Sequence, residues 1–487
     1  MNQWISEELG GSELGDKRLV KRLKIILGRM WQSPLASVTA ACRGFAEVMA
    51  ASRFFGNKLV TQEQVLAPHR EATLLRVAQH SQVLYVQDTT ELDFTAKKKL
   101  QGTGPLSNLE RRGFFAHNEL VISPERLPLG LWHTSIDARK DQEHGKAKDR
   151  KQKPIQEKES YRWLEGYRRG CELAALVPQS QVVVCADREA DIYEIFAFHQ
   201  SRLRSGQAAA HWLIRSNEDR CLKPPKKEQQ TDEAQPVSRK IRQRLQQSPV
   251  LGSISFAVPA KEQTKKINGS RSTRKSMRSK RVVTQQIRAI EVTLRPPWRK
   301  GFKLPPVTIR IVQAQELDAP PGEEPINWIL LTDLECRDFD QARQVLELYL
   351  CRWEIEVFHK VLKTGCRVEE LQFRTDVSIK LVILLYMIVA WRVLYVMHLG
   401  RECPELPCSV VFEEAEWHSS WVILKGGLPP PEPPSLNQMV RIVASFGGFL
   451  GRKSDGHPGP KTLWTGLCRV QDFAFCWLQT AHLRSSA

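Results

Sequence analysis

The segment QVVVCAD, residues 181–187, constrains the fold most, because it is a continuous apolar run that ends in an aspartate. Such a run is typical of a strand that is buried on both faces in a parallel arrangement. INWILLTD, residues 326–333, also predicts a buried strand. A highly charged segment at 141–176 precedes the first run and is predicted to be a helix. This alternation of strands and helices predicts an α/β fold.

Antiparallel strands are predicted ahead of these runs. VLYVQDTTELDF has a strand pattern from Val83 to Val86, and we expect the strand to end at Asp88, where the apolar run stops. The segments NELVIS and LGLWHTSID form a predicted hairpin about residues 124–128. Three antiparallel strands are therefore expected to follow one another.

The first 70 residues are predicted to be helical. Asp16 can cap KRLVKRLKIILGRMW, and GFAEVMAASRFFGN has apolar residues at helical spacing, closed by Gly56 and Asn57. The first of these helices carries a group of cations: Lys17, Arg18, Lys21, Arg22 and Lys24. They form either an ordinary solvated face or a surface that follows a phosphate backbone, and the sequence leaves both interpretations open.

The composition changes between about residues 201 and 306, where Gln-, Pro- and Lys-rich pieces interrupt the chain. The run from Lys261 to Arg281 holds nine Lys and Arg residues against one Glu. The run is predicted to be a loop or the tip of a long hairpin. The strand-like pieces that bracket it are HWLIRSN, IRAIEVTLRP and VTIRIVQA. The region is interpreted as a basic, β-rich insertion whose contact role rests on charge alone.

The chain is predicted to be helical from about residue 374, with a Pro-rich turn, GGLPPPEPPS. Its longest apolar stretch, Leu381 to Trp391, has 11 residues. This stretch is too short to span a bilayer and predicts a buried helix. The charged N-terminus lacks the apolar segment of a secretory signal. The 11 cysteines are scattered without a CxxC pair, which fits a reducing cytoplasm.

The charge balance bears on the class of partner. The chain has 72 Lys and Arg against 54 Asp and Glu, which gives a net charge of +18 and a pI of about 9.5. Lys and Arg that neutralise phosphates supply most of the sequence-independent affinity for nucleic acid. Ribosomal or membrane-surface proteins need a similar charge but seldom carry 13 Trp and 11 Cys in one chain. Nucleic acid is therefore the leading class of partner.

The segment LYLCRWEIEVFHKVLKTG predicts a helix with a polar stripe. At about 100° per residue, Tyr349, Arg352, Glu356 and Lys363 fall within an arc about 60° wide. Apolar residues on the opposite arc would dock the helix: Leu346, Leu350, Ile355, Val357, Phe358, Val361 and Leu362. The alternative is a solvated face on which Arg352 and Glu356 form an i,i+4 pair worth a few tenths of a kcal/mol.

Three carboxylates lie on separate predicted elements: Asp88, Asp187 and Glu356. Glu354 falls in the apolar arc, so Glu356 is the carboxylate that the stripe presents. Three carboxylates in one site repel one another unless a cation lies among them, and oxygen ligands suit Mg²⁺ or Mn²⁺. Two such ions could support in-line displacement at a phosphodiester. Alternatively, Asp88 could cap a turn and Asp187 could pair with Arg188.

Four motifs carry a resemblance to a known family. They are QDTT at Asp88, ADREADIYEIF at Asp187, NWILLTD at Trp328, and the pattern Tyr-x2-Arg-x3-Glu-x6-Lys that ends at Lys363. Over most of its length the chain resembles the DDE transposases of the bacterial IS-four family of insertion sequences. The resemblance implies three domains: a helical DNA-end-binding domain at 1–70, an RNase H-like mixed-sheet catalytic domain at 71–374 with the insertion at about 201–306, and a helical dimerisation domain at 375–487.

The resemblance also implies roles for individual residues. Asp88, Asp187 and Glu356 would be catalytic and hold two Mg²⁺ ions, for which Mn²⁺ can substitute. Residues expected to contact DNA are Tyr349, Arg352, Lys363, Trp328 and Arg215. Trp328 would support a base flipped out of the DNA end while a hairpin forms, and the alternative is a core tryptophan at the head of a strand.

The implied function is cut-and-paste transposition. The protein would bind terminal inverted repeats, cleave the ends through a hairpin intermediate and join the 3′ ends to target DNA. Its partners would be double-stranded DNA and a second copy of the chain in a synaptic complex, in the bacterial cytoplasm at the nucleoid and without a membrane. The alternatives are a catalytically silent DNA-binding regulator, which the intact triad argues against, and an RNase H-like nuclease, which the polar stripe argues against.

Overall fold

A computed structural model describes most of the chain. The described residues are 3–33, 37–140, 153–223, 239–258, 261–266, 273–278, 281–299 and 303–480. The chain divides into two compact units. The first comprises Met1–Ala147, Val177–Ser180 and Cys351–Ala487, and the second comprises Lys148–Leu176 and Gln181–Leu350.

The elements are named in chain order. The helices are Gln3–Glu8 (α1), Lys17–Gln32 (α2), Val38–Ala41 (α3), Phe45–Phe55 (α4), Gln62–Val77 (α5), Tyr161–Leu176 (α6), Tyr193–Arg204 (α7), Ile241–Gln246 (α8), Phe339–Cys351 (α9), Trp353–Lys360 (α10), Asp376–Glu402 (α11), Glu414–Lys425 (α12), Leu436–Phe446 (α13) and Pro460–Gln479 (α14). The strands are Gln82–Asp93 (β1), Gly104–Pro105 (β2), Arg112–Ile122 (β3), Pro128–Asp137 (β4), Gln181–Ala186 (β5), His211–Arg215 (β6), Gly252–Val258 (β7), Lys261–Lys266 (β8), Thr273–Arg278 (β9), Arg281–Leu294 (β10), Val307–Glu316 (β11) and Asn327–Thr332 (β12).

The N-terminal helices of the first unit form where the sequence predicts them. The Asp16 carboxylate accepts a 2.8 Å hydrogen bond from the backbone N–H of Arg18 and so caps α2. Helix α4 ends at Phe55, and Gly56 is its C-cap. Apolar residues on one side of α2 are buried, including Leu23 and Leu27, while Lys17 and Arg18 at its start are exposed. The predicted helices and the cap are confirmed.

The sheet of the first unit is antiparallel, with β3 between β1 and β4. The predicted hairpin about residues 124–128 is confirmed. The predicted end of the first strand is wrong, because Asp88 lies inside β1. The ladder with β3 continues from the pair Asp88–Asn118 to the pair Asp93–Gly113, so backbone pairing extends the strand past the end of its apolar run.

The C-terminal part of the first unit is helical, as predicted. Helix α11 has 27 residues and is long and apolar enough, by length and composition, to cross a bilayer. Most of it is buried inside the protein, from Ile379 to Met397. The prediction of a buried helix is confirmed, although the helix extends well beyond the 11-residue apolar run that indicated it.

The main sheet of the second unit has the order β5-β6-β12-β11-β10-β7. Strands β5 and β6 are parallel and the other neighbours are antiparallel, so the sheet is mixed. The parallel arrangement predicted for QVVVCA is confirmed. The charged helix predicted for 141–176 is shorter than expected. Helix α6 begins at Tyr161, a 3-10 turn at Ile155–Glu157 precedes it, and residues 141–152 lie outside the described residues.

The basic run from Lys261 to Arg281 contains a hairpin. Strands β8 and β9 pair with each other in antiparallel register as a separate two-stranded sheet, which confirms the predicted hairpin tip. Residues 267–272 and 279–280 of the run lie outside the described residues. Strand β6 falls within the predicted insertion at 201–306, yet it pairs with β5 in the main sheet.

The single helix predicted through residues 348–365 is divided into two α-helices and a π-helical turn. Arg352 alone separates α9 from α10, and the boundary between the units falls just before Cys351. After α10, the N–H of Cys366 donates a 2.9 Å hydrogen bond to the carbonyl of Val361. The wider turn shifts Lys363 from the position that a uniform α-helix predicts. Leu350, predicted to dock the helix, is 40% exposed.

Candidate active site

Helix α10 packs against β1 in the first unit and positions Glu356. Ile355 and Phe358 are fully buried and hold the helix in place, while Glu356 remains half-buried. Asp88 lies in the middle of β1, directly opposite Asn118 of β3. Directly opposed residues of a ladder present their side chains on the same face of the sheet. Asp88 and Asn118 therefore share a face.

Arg352 joins the two predicted catalytic carboxylates of the first unit. Its Nη2 atom lies 2.6 Å from Oε1 of Glu356, and its Nη1 atom lies 3.7 Å from Oδ2 of Asp88. The Arg352 side chain is only 11% exposed. The structure thus brings Asp88, Arg352 and Glu356 together, although 268 positions separate the two acids in the sequence.

The competing carboxylate of the same helix has a different environment. Glu354 is buried, and its Oε2 atom lies 3.1 Å from Nε2 of buried His398. Arg126 also approaches it, at 3.6 Å. Glu354 is therefore a buried, paired residue, as its predicted position in the apolar arc of the helix requires.

Asp187 belongs to the second unit and directly follows β5. Its carboxylate accepts a 2.9 Å hydrogen bond from the N–H of Glu189 and caps a short 3-10 turn. Burial raises the pKa of the Glu189 carboxyl, and the charge of Asp187 raises it further. The neighbouring Asp191 pairs with Arg220 at 2.6 Å and accepts hydrogen bonds from the backbone N–H groups of Asn217 and Glu218. Of these three acids, Asp187 is the one that directly follows the carboxyl end of β5.

Trp328, Tyr349 and Arg215 also belong to the second unit. The rings of Trp328 and Tyr349 pack edge to face with their centroids 6.2 Å apart. Trp328 is half-buried near the start of β12, and Tyr349 is buried in α9. Arg215 is the last residue of β6 and pairs opposite Leu330. The aromatic pair is a structural contact, and the base-supporting role of Trp328 stays a prediction.

Lys363 lies in the π-helical turn among acidic side chains of the first unit. Burial lowers the pKa of its ammonium group, and the nearby carboxylates of Glu369 and Glu91 partly offset that effect. Arg111 acts in the direction of burial. The lysine is therefore a half-buried cation placed beyond Glu356 along the chain.

Sequence reasoning missed two buried polar residues beside the carboxylates. Asn118 Nδ2 lies 2.9 Å from Nε2 of His359, and both side chains are buried. Burial lowers the pKa of His359 to about 3, and the charge of Lys363 adds to that effect. The helical period could have identified His359, because it falls at about 280° on the helical wheel, beside Arg352 at about 300°. No local signal marks Asn118.

The donor chemistry of the predicted acids fits a hard divalent cation, because all three ligands are carboxylates. Two of them, Asp88 and Glu356, already share one cationic partner in Arg352. Among the residues that the structure describes, no group of three His, Cys, Asp or Glu is arranged as a metal cluster.

Comparison with known proteins identifies both ends of the chain. Residues 1–60 match the family model described as transposase DNA-binding, and residues 388–482 match the model of the transposase Tn5 dimerisation domain. Among solved structures, the chain is similar to piggyBac transposase in a synaptic complex with hairpin DNA. That match has 8% identity and a TM-score of 0.31, and covers 74% of this chain and 56% of that chain. At this TM-score the likeness carries no argument.

Two transposase-specific models thus match at opposite ends of a chain whose middle part presents the carboxylates. The class of protein is a transposase. Within that class, the match of residues 388–482 to the Tn5 dimerisation domain, together with the N-terminal DNA-binding match, supports a Tn5-like transposase.

Proposed function

We propose that this protein is a cut-and-paste DNA transposase of the IS-four type with an RNase H-like catalytic core. It binds the terminal inverted repeats of its own element, cleaves both strands at each end through a hairpin and joins the 3′ ends to target DNA. The observation that carries the proposal is the contact of Asp88 and Glu356 with one guanidinium, in a chain whose two ends match transposase domains.

Asp88, Asp187 and Glu356 are the proposed ligands of Mg²⁺, or of Mn²⁺ in its place. When bound, the ions would activate a water or 3′-hydroxyl and stabilise the leaving oxygen of the phosphodiester. Arg352 offsets part of the negative charge of Asp88 and Glu356 and is proposed to bind a DNA phosphate close to them. Tyr349, Lys363, Trp328 and Arg215 are proposed to contact the transposon end, with Trp328 against a displaced base.

The N-terminal helices are the proposed binding site for the inverted repeats. Lys17, Arg18 and Lys21 are exposed on α2, on the side away from its buried apolar residues. Cations placed along one helix face can follow a phosphate backbone. A second copy of the chain would bind through the C-terminal helices in the synaptic complex, and the protein would act at the nucleoid in the bacterial cytoplasm.

The test is an end-cleavage assay on DNA that carries the inverted repeats flanking the gene. Asp88→Asn, Asp187→Asn and Glu356→Gln should each abolish Mg²⁺-dependent cleavage and leave end binding largely intact, because phosphate contacts position the DNA independently of the metal. The control is Asp340→Asn in α9, whose side chain is 82% exposed and which should cleave normally.

Three outcomes would oppose the proposal. Cleavage that persists in one of the three variants removes that residue from the site. Tight end binding without cleavage by the wild-type protein indicates a silent regulator. Cleavage without joining of the 3′ ends to target DNA indicates a nuclease.

A further inference from the structure

A chain of buried hydrogen bonds links β4 and β3, the strand that pairs with the one carrying Asp88, to the helix that carries Glu356. The Thr134 hydroxyl donates to Oδ1 of Asn118 at 2.7 Å, and Asn118 Nδ2 lies 2.9 Å from Nε2 of His359. We call Thr134, Asn118 and His359 the tether. All three side chains are buried, and all belong to the first unit.

The protonation state of the tether follows from its donors. Asn118 Oδ1 accepts the bond from Thr134, so the amide Nδ2 is the atom that faces His359. An amide nitrogen can only donate, so Nε2 of His359 must accept and its proton must lie on Nδ1. The low pKa of His359, which burial causes, agrees with a neutral ring at physiological pH.

The tether connects residues that neighbour the two carboxylates in the fold. Asn118 is the direct ladder partner of Asp88, and His359 lies one helical turn after Glu356. Residues three apart on a helix are surface neighbours. A shift of α10 along or around its axis would therefore stretch the bond between Asn118 and His359 as it moved Glu356 relative to Asp88.

The apolar contacts of α10 are less directional, and the buried hydrogen bond between Glu354 and His398 ties the helix to α11 and not to the sheet that carries Asp88. Ile355 and Phe358 bury apolar surface, which favours contact but is non-directional. A π-helical turn begins immediately after Lys360, so the regular helix ends within one turn of Glu356. A buried hydrogen bond of defined geometry can fix the register that apolar packing leaves loose.

We propose that Asn118 and His359 are positioning residues that set the spacing of the Asp88 and Glu356 carboxylates. The proposal rests on the proposed function, in which those carboxylates bind the divalent ion. His359 touches neither substrate nor ion in this account, and it acts through the position of Glu356. Because Mg²⁺ demands nearly ideal octahedral geometry, it should respond to a displaced carboxylate more strongly than Mn²⁺ does.

The test compares His359→Leu with His359→Gln. Leucine removes the acceptor for the amide nitrogen of Asn118, whereas the side-chain oxygen of glutamine can accept the same hydrogen bond. Since a displacement of about 1 Å can cost about 100-fold in rate, His359→Leu should slow Mg²⁺-supported end cleavage by about 30-fold or more. The loss should be several-fold smaller with Mn²⁺, and His359→Gln should restore most of the Mg²⁺ rate.

The matched control is His398→Leu, because His398 makes a buried hydrogen bond to Glu354 on the same helix. It breaks another buried side-chain hydrogen bond of α10 without touching the tether. If the tether only stabilises the fold, the two leucine variants should lose melting temperature and cleavage together and keep the wild-type ratio of Mg²⁺ to Mn²⁺ rates. A changed ratio in His359→Leu alone supports positioning.

A binding readout keeps the test independent of turnover. Mn²⁺ binding, followed by electron paramagnetic resonance, should weaken by about 10-fold in His359→Leu and not in His359→Gln or His398→Leu. If His359→Leu does not fold, Thr134→Val serves instead, because it removes only the hydrogen bond from Thr134 to Asn118. The ratio of Mg²⁺ to Mn²⁺ rates should then change in the same direction but by a smaller factor. If these variants cleave at the wild-type rate and keep the wild-type ratio of Mg²⁺ to Mn²⁺ rates, the positioning role of the tether is refuted. Absence of any cleavage by the wild-type protein would instead count against the proposed function.

Discussion

Replacing Arg352 with glutamine tests whether its cluster with Asp88 and Glu356 is a built site or an ordinary helical ion pair. An exposed i,i+4 pair contributes about 0.3–0.5 kcal/mol, whereas removing one partner of a buried pair costs about 3–5 kcal/mol. Arg352 is 11% exposed, Asp88 16% and Glu356 35%, so the cluster lies between these limits. We expect Arg352→Gln to cost about 2 kcal/mol of unfolding free energy.

The loss should depend on divalent cations. Without the guanidinium, Asp88 and Glu356 keep their mutual repulsion, which a bound cation relieves. Added Mg²⁺ should therefore raise the melting temperature of Arg352→Gln more than that of the wild-type protein, in which Arg352 competes for the carboxylates. The assay is a thermal melt at matched ionic strength, with and without Mg²⁺, and a double-mutant cycle with Glu356→Gln isolates the pair.

The chain offers a matched control for this experiment. Arg343 and Glu347 form an i,i+4 pair on α9 at 3.7 Å, and their side chains are 50% and 64% exposed. Arg343→Gln should change stability by less than about 0.5 kcal/mol and should not respond to Mg²⁺. If Arg352→Gln behaves in the same way, the cluster is a solvated pair and the reasoning is refuted.

Three further predictions concern other parts of the chain. Neutralising Arg274, Lys275 and Arg278 should reduce the slope of log K for DNA binding against log[salt] by about 0.9 per lost phosphate contact. An unchanged slope in a binding titration would mean that these side chains are solvated and do not contact DNA. Trp328→Ala should spare the first nick and slow hairpin formation in a gel time course of end cleavage. A uniform loss of the nicked, hairpin and double-strand-broken products, together with a lowered melting temperature, would indicate a core residue. Burial raises the pKa of Glu416 to about 7 from an ordinary 4.5, so the stability tied to its protonated form is fully present below pH 4.5 and is lost as the pH rises through 7. Glu416→Gln should flatten the fall in melting temperature over that window, and melts that keep the wild-type pH profile would contradict the raised pKa.

The strands and helices were predictable where burial leaves a pattern in the sequence. Strand β5 is a continuous apolar run because both of its faces are covered, and α2 shows its cap and its apolar side in the local sequence. Strand β1 shows the limit of this reasoning. It extends to Asp93 through backbone pairing with β3, and the polar residues after Asp88 carry no apolar signal of that pairing.

The candidate site was predictable only in part, for a related reason. The helical period places Arg352 and Glu356 together because their contact is local. The approach of Asp88 to Arg352 and of Asn118 to His359 depends on tertiary packing, and 241 positions separate the latter pair in the chain. The π-helical turn that displaces Lys363 follows from a single backbone hydrogen bond, which composition and periodicity do not reveal.

The most direct test of the central claim asks whether Asp88, Asp187 and Glu356 bind one group of divalent ions. Fe²⁺ is exchanged for Mg²⁺ in the full-length protein, and ascorbate with peroxide then generates hydroxyl radicals that cut the backbone near the bound iron. We predict cuts close to residues 88, 187 and 356 that excess Mg²⁺ suppresses and that Asp187→Ala weakens at all three positions. Cuts confined to one of these segments, or cuts near 88 and 356 that Asp187→Ala leaves unchanged, would contradict a shared site.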